Sequence, residues 1–78
     1  MKVSTLLESM NPEAQTYKIL KHMNERGGIT SFDAFVEYGI TRLASRICDL
    51  KHLGVEIGHE DIRRGQKNWR RYYLKEQQ

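Results

Sequence analysis

The sequence predicts a mainly helical α+β domain in which three short helices precede a two-stranded β-hairpin. Up to Gly54, apolar residues recur about every four positions, which is the spacing of one helix face. After Gly54 the period changes to two, and β-branched and aromatic residues become frequent, as in strands. Glycines also follow each of the three helical stretches, where a left-handed residue commonly ends a helix.

The first predicted helix covers about residues 12–25. Asn11 can cap its N-terminus, and Pro12 suits its first turn. The pair Gly27-Gly28 then ends it. Its inward stripe has helical spacing and consists of Thr16, Ile19, Leu20 and Met23.

The second predicted helix lies between Thr30 and Gly39. Thr30 and Asp33 have the spacing of a capping box, in which each residue's side chain bonds the other's backbone N–H. The helix has only about eight residues, too few to be stable without neighbours. We therefore expect its larger apolar residues to face inward: Phe32, Phe35 and Val36.

The third predicted helix is GITRLASRICDLKHLG, residues 39–54. Thr41 is expected to cap it and Gly54 to follow its end. Its inward stripe is expected to contain Leu43, Ile47, Leu50 and Leu53, with Ala44 beside it. The opposite side carries residues that can form hydrogen bonds: Arg42, Ser45, Arg46, Asp49 and His52.

The predicted hairpin joins VEIGHEDI (55–62) to NWRRYYLK (68–75) through a basic tip at 63–68. One register makes every cross-strand pair chemically sensible. It sets Ile57 opposite Leu74, His59 opposite Tyr72, Glu60 opposite Arg71, Asp61 opposite Arg70, and Ile62 opposite Trp69. In this register Arg70 and Arg71 face carboxylates, whereas the tip cations Arg63, Arg64 and Lys67 do not.

Three short helices followed by a basic hairpin resemble a winged helix-turn-helix domain, in which the hairpin is the wing. The stretch YGITRLASRICDLKHLGVEI is similar to small winged-helix domains of phage and prophage proteins. The resemblance covers about residues 12–75. It implies binding of double-stranded DNA, with the third helix in the major groove and the wing on the backbone or in the minor groove.

The charge distribution agrees with a polyanionic partner. Residues 1–41 hold four basic and five acidic side chains, a net −1, whereas residues 42–78 hold nine and five, a net +4. For the major groove we expect Thr41, Arg42, Ser45, Arg46 and Asp49. For the backbone contacts of the wing we expect Arg63, Arg64, Lys67, Arg70 and Arg71, with the tip dominating.

Seventy-eight residues predict one domain, at 11–78, preceded by an N-terminal extension at 1–10 that forms a short helical turn or is flexible. The extension is also a candidate homodimer contact through Leu6, Leu7 and Met10. No membrane span or secretory signal is expected, so a cytoplasmic location in a bacterial or phage-infected cell is predicted. A transcriptional regulator is the main prediction. An architectural DNA-bending or recombination directionality factor, or a protein-interaction module, are the alternatives.

No catalytic, cofactor or metal site is predicted, and no small-molecule substrate. Glu60 and Asp61 are adjacent on a strand, so they point to opposite faces and cannot work as a pair. Ser45 and His52 are too far apart to be a nucleophile and its base. Cys48 and His52 stand four apart on a helix, but no further ligand has suitable spacing for zinc. Cys48 is instead expected to be a half-buried core residue.

Overall fold

A computed structural model of the chain describes residues 3–75, and over that range it has four helices and one three-stranded antiparallel sheet. The predicted fold class is therefore confirmed, with one additional helix and one additional strand. In chain order the elements are α1 (Val3–Ser9), α2 (Gln15–Arg26), β1 (Ile29–Thr30), α3 (Ser31–Tyr38), α4 (Leu43–His52), β2 (Ile57–Arg64) and β3 (Lys67–Leu74). No helix within residues 3–75 is both long and apolar enough to cross a membrane.

The helix predicted to start at residue 12 begins three residues later, at Gln15, with Ala14 as its N-cap. The Asn11 side chain does accept a backbone hydrogen bond, from the Glu13 N–H at 3.0 Å, but this bond stabilises a separate turn before α2. Ahead of that turn, α1 lies against the core. Its apolar side chains and the residue just after it are half-buried there: Val3, Leu6, Leu7 and Met10.

Helix α3 has the predicted capping box, with Thr30 and Asp33 bonding each other's backbone N–H at 3.1 Å. The predicted inward face is wrong, however, because Ala34 is the buried residue of α3. At about 100° per residue, positions 32 and 36 lie about 200° from Ala34, on the opposite side of the helix. The small Ala34 side chain lets α3 approach its neighbours closely, and the bulky residues point outward.

Helix α4 starts at Leu43, and the predicted N-cap is wrong. Arg42 is the N-cap and makes no side-chain capping bond, so Thr41 lies one residue before the cap. Leu43, Ile47 and Leu50 are buried as predicted. Other predicted inward residues are not buried. Because the helix ends at His52, Leu53 is 47% exposed, and Ala44 and Cys48 are also exposed.

The hairpin register is confirmed at all five predicted pairs. The strands have the predicted length of eight residues but lie nearer the tip than predicted, by two positions in β2 and by one in β3. They extend to Arg64 and Lys67, so that Gly65 and Gln66 alone form the turn. The third strand, β1, is two residues long and pairs with β3, which makes the strand order β1-β3-β2. One end of the hairpin is thereby fixed to the helices, while the Gly65-Gln66 end projects away from β1.

The core lies between the helices and the base of the sheet. Its fully buried large side chains come from α2, β1, the α3–α4 turn and α4: Ile19, Leu20, Met23, Ile29, Ile40 and Leu50. Val55, Ile57 and Leu74 close it from the sheet side. In the turn before Ile40, Gly39 has φ +69°, and its N–H bonds the Phe35 carbonyl at 2.9 Å. This left-handed residue ends α3 and redirects the chain into α4.

Candidate nucleic-acid interface

The N-terminal half of α4 presents the predicted polar face to solvent. Thr41, Arg42 and Ser45 are exposed, and Arg46 is half-buried. Arg46 also forms an ion pair with Asp49 at 3.4 Å. Within residues 3–75, Arg42 has no ion-pair partner, so its guanidinium is free to bind an external anion or base edge. The buried stripe of α4 holds the helix in place and orients this face outward.

The tip of the hairpin carries three exposed cations, Arg63, Arg64 and Lys67, and in the described part of the chain none of them has an ion-pair partner. Arg64 stands directly opposite Lys67 in the sheet. Like charges in directly opposite positions repel each other and destabilise the pair. An anion bound at the tip would relieve that repulsion.

The strand cations behind the tip are already engaged. Arg70 bonds the Asp61 carboxylate at 3.0 Å, and this hydrogen bond and the negative charge raise the pKa of Arg70 above its ordinary value. Arg71 contacts the Glu60 carboxylate at 3.3 Å. The sequence therefore predicted correctly which wing cations are paired within the hairpin.

Arg71 has a second partner that the sequence did not reveal. It donates a hydrogen bond to the Gly27 carbonyl, at the end of α2, at 2.8 Å. Its guanidinium lies so close to Gly28 that any side chain at that position would collide with it. The hydrogen bond joins β3 to the end of α2.

The comparison with known proteins agrees with this geometry. A family model described as a winged helix-turn-helix domain matches residues 14–77. The chain belongs to this family. No curated protein matched the chain, and no solved structure matched it either. In the terms of the family, α3 and α4 are the helix-turn-helix, and β2 with β3 is the wing. Such a domain suggests binding to DNA, and domains of this kind are typically not enzymes.

Helix α3 is held at its C-terminal end by a polar contact with α2. His22 of α2 is 4% exposed, and its Nδ1 lies 2.8 Å from the Tyr38 hydroxyl, with the two rings edge to face. Burial and the nearby Glu37 carboxylate raise the pKa of Tyr38 above its ordinary value. The sequence showed no signal for this pair, because its members lie 16 positions apart.

The pair considered for metal binding stands on α4. Cys48 Sγ lies 4.0 Å from His52 Nδ1, and both residues are exposed. Among residues 3–75, no group of three or more His, Cys, Asp or Glu side chains is arranged to hold a metal ion.

Proposed function

We propose that the chain binds double-stranded DNA, with α4 in the major groove and the wing tip on the phosphate backbone or in the minor groove. One observation carries the proposal. Among the exposed cations without an ion-pair partner within residues 3–75, four lie at the start of α4 and at the wing tip of this winged helix-turn-helix scaffold: Arg42, Arg63, Arg64 and Lys67. These are the two places where the fold contacts a duplex.

At the start of α4, Arg42 and Ser45 would contact base edges and Thr41 a phosphate. An Arg guanidinium matches the two acceptors of guanine, and a good bidentate contact of this kind contributes about 1–3 kcal/mol of discrimination. Arg46 can join them by exchanging its surface ion pair with Asp49. Because that pair is solvent-exposed, breaking it costs at most about 1 kcal/mol.

At the wing, the cross-strand repulsion between Arg64 and Lys67 supports a role in binding anions. A phosphate between the two side chains would turn an unfavourable pair into two favourable contacts. Arg63 lies on the other face of the hairpin, so the tip offers cations on both faces. Arg70 and Arg71 are proposed to contribute less, because their charges are already balanced by carboxylates.

The biological setting we propose is a transcriptional regulator encoded by a phage or prophage and acting in the bacterial cytoplasm. This part of the proposal rests on the similarity of residues 38–57 to small phage winged-helix domains. Homodimerisation through residues 1–10 is likewise a prediction. Leu6, Leu7 and Met10 pack partly against the core, which reduces the apolar surface that they can offer to a second copy.

The test is a titration of labelled duplexes followed by fluorescence anisotropy, with a selected site and a random duplex at two salt concentrations. We expect the double variant Arg42→Ala/Arg46→Ala to lose affinity for the selected site, by about 1–3 kcal/mol for each lost base contact. Lys51→Ala is the matched control, because Lys51 is an exposed cation at the C-terminal end of the same helix. Unchanged affinity in a folded double variant would contradict the assignment of α4.

The same titration separates the alternatives. Strong binding that barely depends on sequence would favour an architectural role, such as a recombination directionality factor. No binding to any duplex at low salt would favour a protein-interaction module. The last alternative has one observation in its support, namely three large apolar side chains exposed on α3.

A further inference from the structure

The outward side of α3 is apolar, although it faces solvent. Phe32 is 74% exposed, Phe35 60% and Val36 60%, and nothing within residues 3–75 covers them. Their spacing of three and four positions sets them side by side on the helix surface. Single exposed apolar residues are ordinary on a protein surface, whereas the largest contiguous apolar group of a small protein often serves in an interaction.

The β-hairpin extends this surface. Trp69 of β3 is 39% exposed, and together with Phe32 it lines an open cleft of about 530 Å³ between the start of α3 and the wing. We define the α3 face as Phe32, Phe35, Val36 and Trp69. With aromatic side chains of about 150–250 Å² each, these exposed fractions leave on the order of 400 Å² of apolar surface.

We propose that the α3 face is the contact between two copies of this chain. The area fits this partner. A standard interface buries about 800 Å² on each partner. Somewhat more than half of that area, about 450 Å², is apolar. The α3 face alone supplies nearly that amount, so a polar rim would complete an interface of ordinary size.

The charges around the face also fit a second copy. The cleft contains one acidic residue, Asp33, and one basic residue, Lys67. In a two-fold symmetric contact the same surface is used twice, so residues of one copy meet different residues of the other. A surface with both signs can then pair opposite charges across the axis. Arg42 at the start of α4, and Arg63 on the hairpin face away from the cleft, are cations without an ion-pair partner within residues 3–75, and such surfaces repel their own copies, so self-association favours the α3 face.

This contact goes beyond DNA binding and does not depend on it. It also differs from the contact through residues 1–10, whose apolar side chains are half-buried against the core. On the α3 face, by contrast, Phe32, Phe35 and Val36 are each at least 60% exposed. Because so little of each side chain packs within its own copy, a substitution here should change association without unfolding the chain.

The experiment is sedimentation equilibrium of the full chain without DNA, together with the fluorescence of Trp69, the chain's single tryptophan. We expect a monomer–dimer equilibrium, and a blue shift of the Trp69 emission as the protein concentration rises. Phe35→Ser should raise the dissociation constant at least about tenfold, which is the effect of losing a central apolar anchor. Leu53→Ser is the matched control, because Leu53 is 47% exposed just after the end of α4, outside the α3 face. It should leave the dissociation constant unchanged.

Three results would overturn the proposal. The first is a wild-type chain that stays monomeric up to millimolar concentration. The second is a dimer that Phe35→Ser leaves intact, with circular dichroism showing that the variant is folded. The third is a monomer whose affinity for duplex DNA falls on Phe35→Ser, which would assign the face to DNA. If the chain dimerises through the α3 face but binds DNA weakly, that result would support the dimer contact and contradict only the proposed DNA binding.

Discussion

Neutralising the wing tip should change the salt dependence of DNA binding by an amount that the structure sets. The triple variant Arg63→Gln/Arg64→Gln/Lys67→Gln removes three cations without an ion-pair partner in residues 3–75. Each phosphate contact contributes about −0.9 to the slope of log K against log salt, so three contacts contribute about −2.7. When the salt rises from 50 to 200 mM, the wild-type chain should therefore lose about 40-fold more affinity for the duplex than the variant does.

The assay is fluorescence anisotropy of one labelled duplex, titrated at four or more salt concentrations with the wild-type chain and the variants. The matched control is Asp61→Asn/Arg70→Gln, which deletes an ion pair of the same hairpin without changing net charge. Its slope should equal that of the wild type, because a paired cation releases few counterions. If the folded triple variant keeps the wild-type slope, the wing tip does not contact phosphates and the reasoning fails.

Three further predictions concern the scaffold, and urea unfolding followed by circular dichroism measures each. Leu50→Ala should lower the free energy of unfolding by about 2–5 kcal/mol, because Leu50 is fully buried; a loss below 1 kcal/mol would contradict its place in the core. Gly28→Ala should cost about 0.5–1.5 kcal/mol, because the flexible Arg71 guanidinium moves aside and its hydrogen bond to the Gly27 carbonyl is lost; adding Arg71→Ala should cost little more. Tyr38→Phe should cost about 1–3 kcal/mol by leaving His22 without its partner. In the wild type, the free energy of unfolding should fall as the pH rises above about 10, because the pKa of Tyr38 is higher in the folded chain than in the unfolded chain. Tyr38→Phe should remove the part of this fall that is due to Tyr38.

The hairpin was predicted correctly because its information is local. Strand residues alternate between two faces, so one register brings Asp61 opposite Arg70 and Ile62 opposite Trp69, and a slip by one position would spoil every pair. The ion pairs follow directly from the register. The short strand β1 was missed for the converse reason. Two residues are too few to show the alternation of a strand, and β1 is a strand only because it pairs with β3.

The prediction failed for α3, where the tertiary arrangement decides which side is buried. Phe32, Phe35 and Val36 are the large apolar residues of α3, but Ala34 is the residue that faces the core. A close approach between elements selects a small side chain, and hydrophobicity alone cannot reveal that choice. The capping error at Thr41 is similar, because the tight turn after Gly39 shifts the start of α4 by one residue.

The candidate interface was partly accessible from the sequence. The polar side of α4 and the free cations of the tip follow from helical spacing and strand register. The engagement of Arg71 with Gly27 does not, since these residues are 44 positions apart and meet only in the folded chain. The local patterns therefore predicted which charged residues lie on the surface. The packing of distant segments determined which of these residues already have a partner in the folded chain.

The most direct test of the account is an NMR titration of the isotopically labelled chain with a duplex that carries its selected site. We expect the largest amide shifts on Thr41, Arg42 and Ser45 at the start of α4 and on residues 63–67 of the wing tip. Both groups should titrate with the same dissociation constant, because they bind in the same complex. Shifts confined to α3 and α1, or two groups that titrate with different constants, would contradict it.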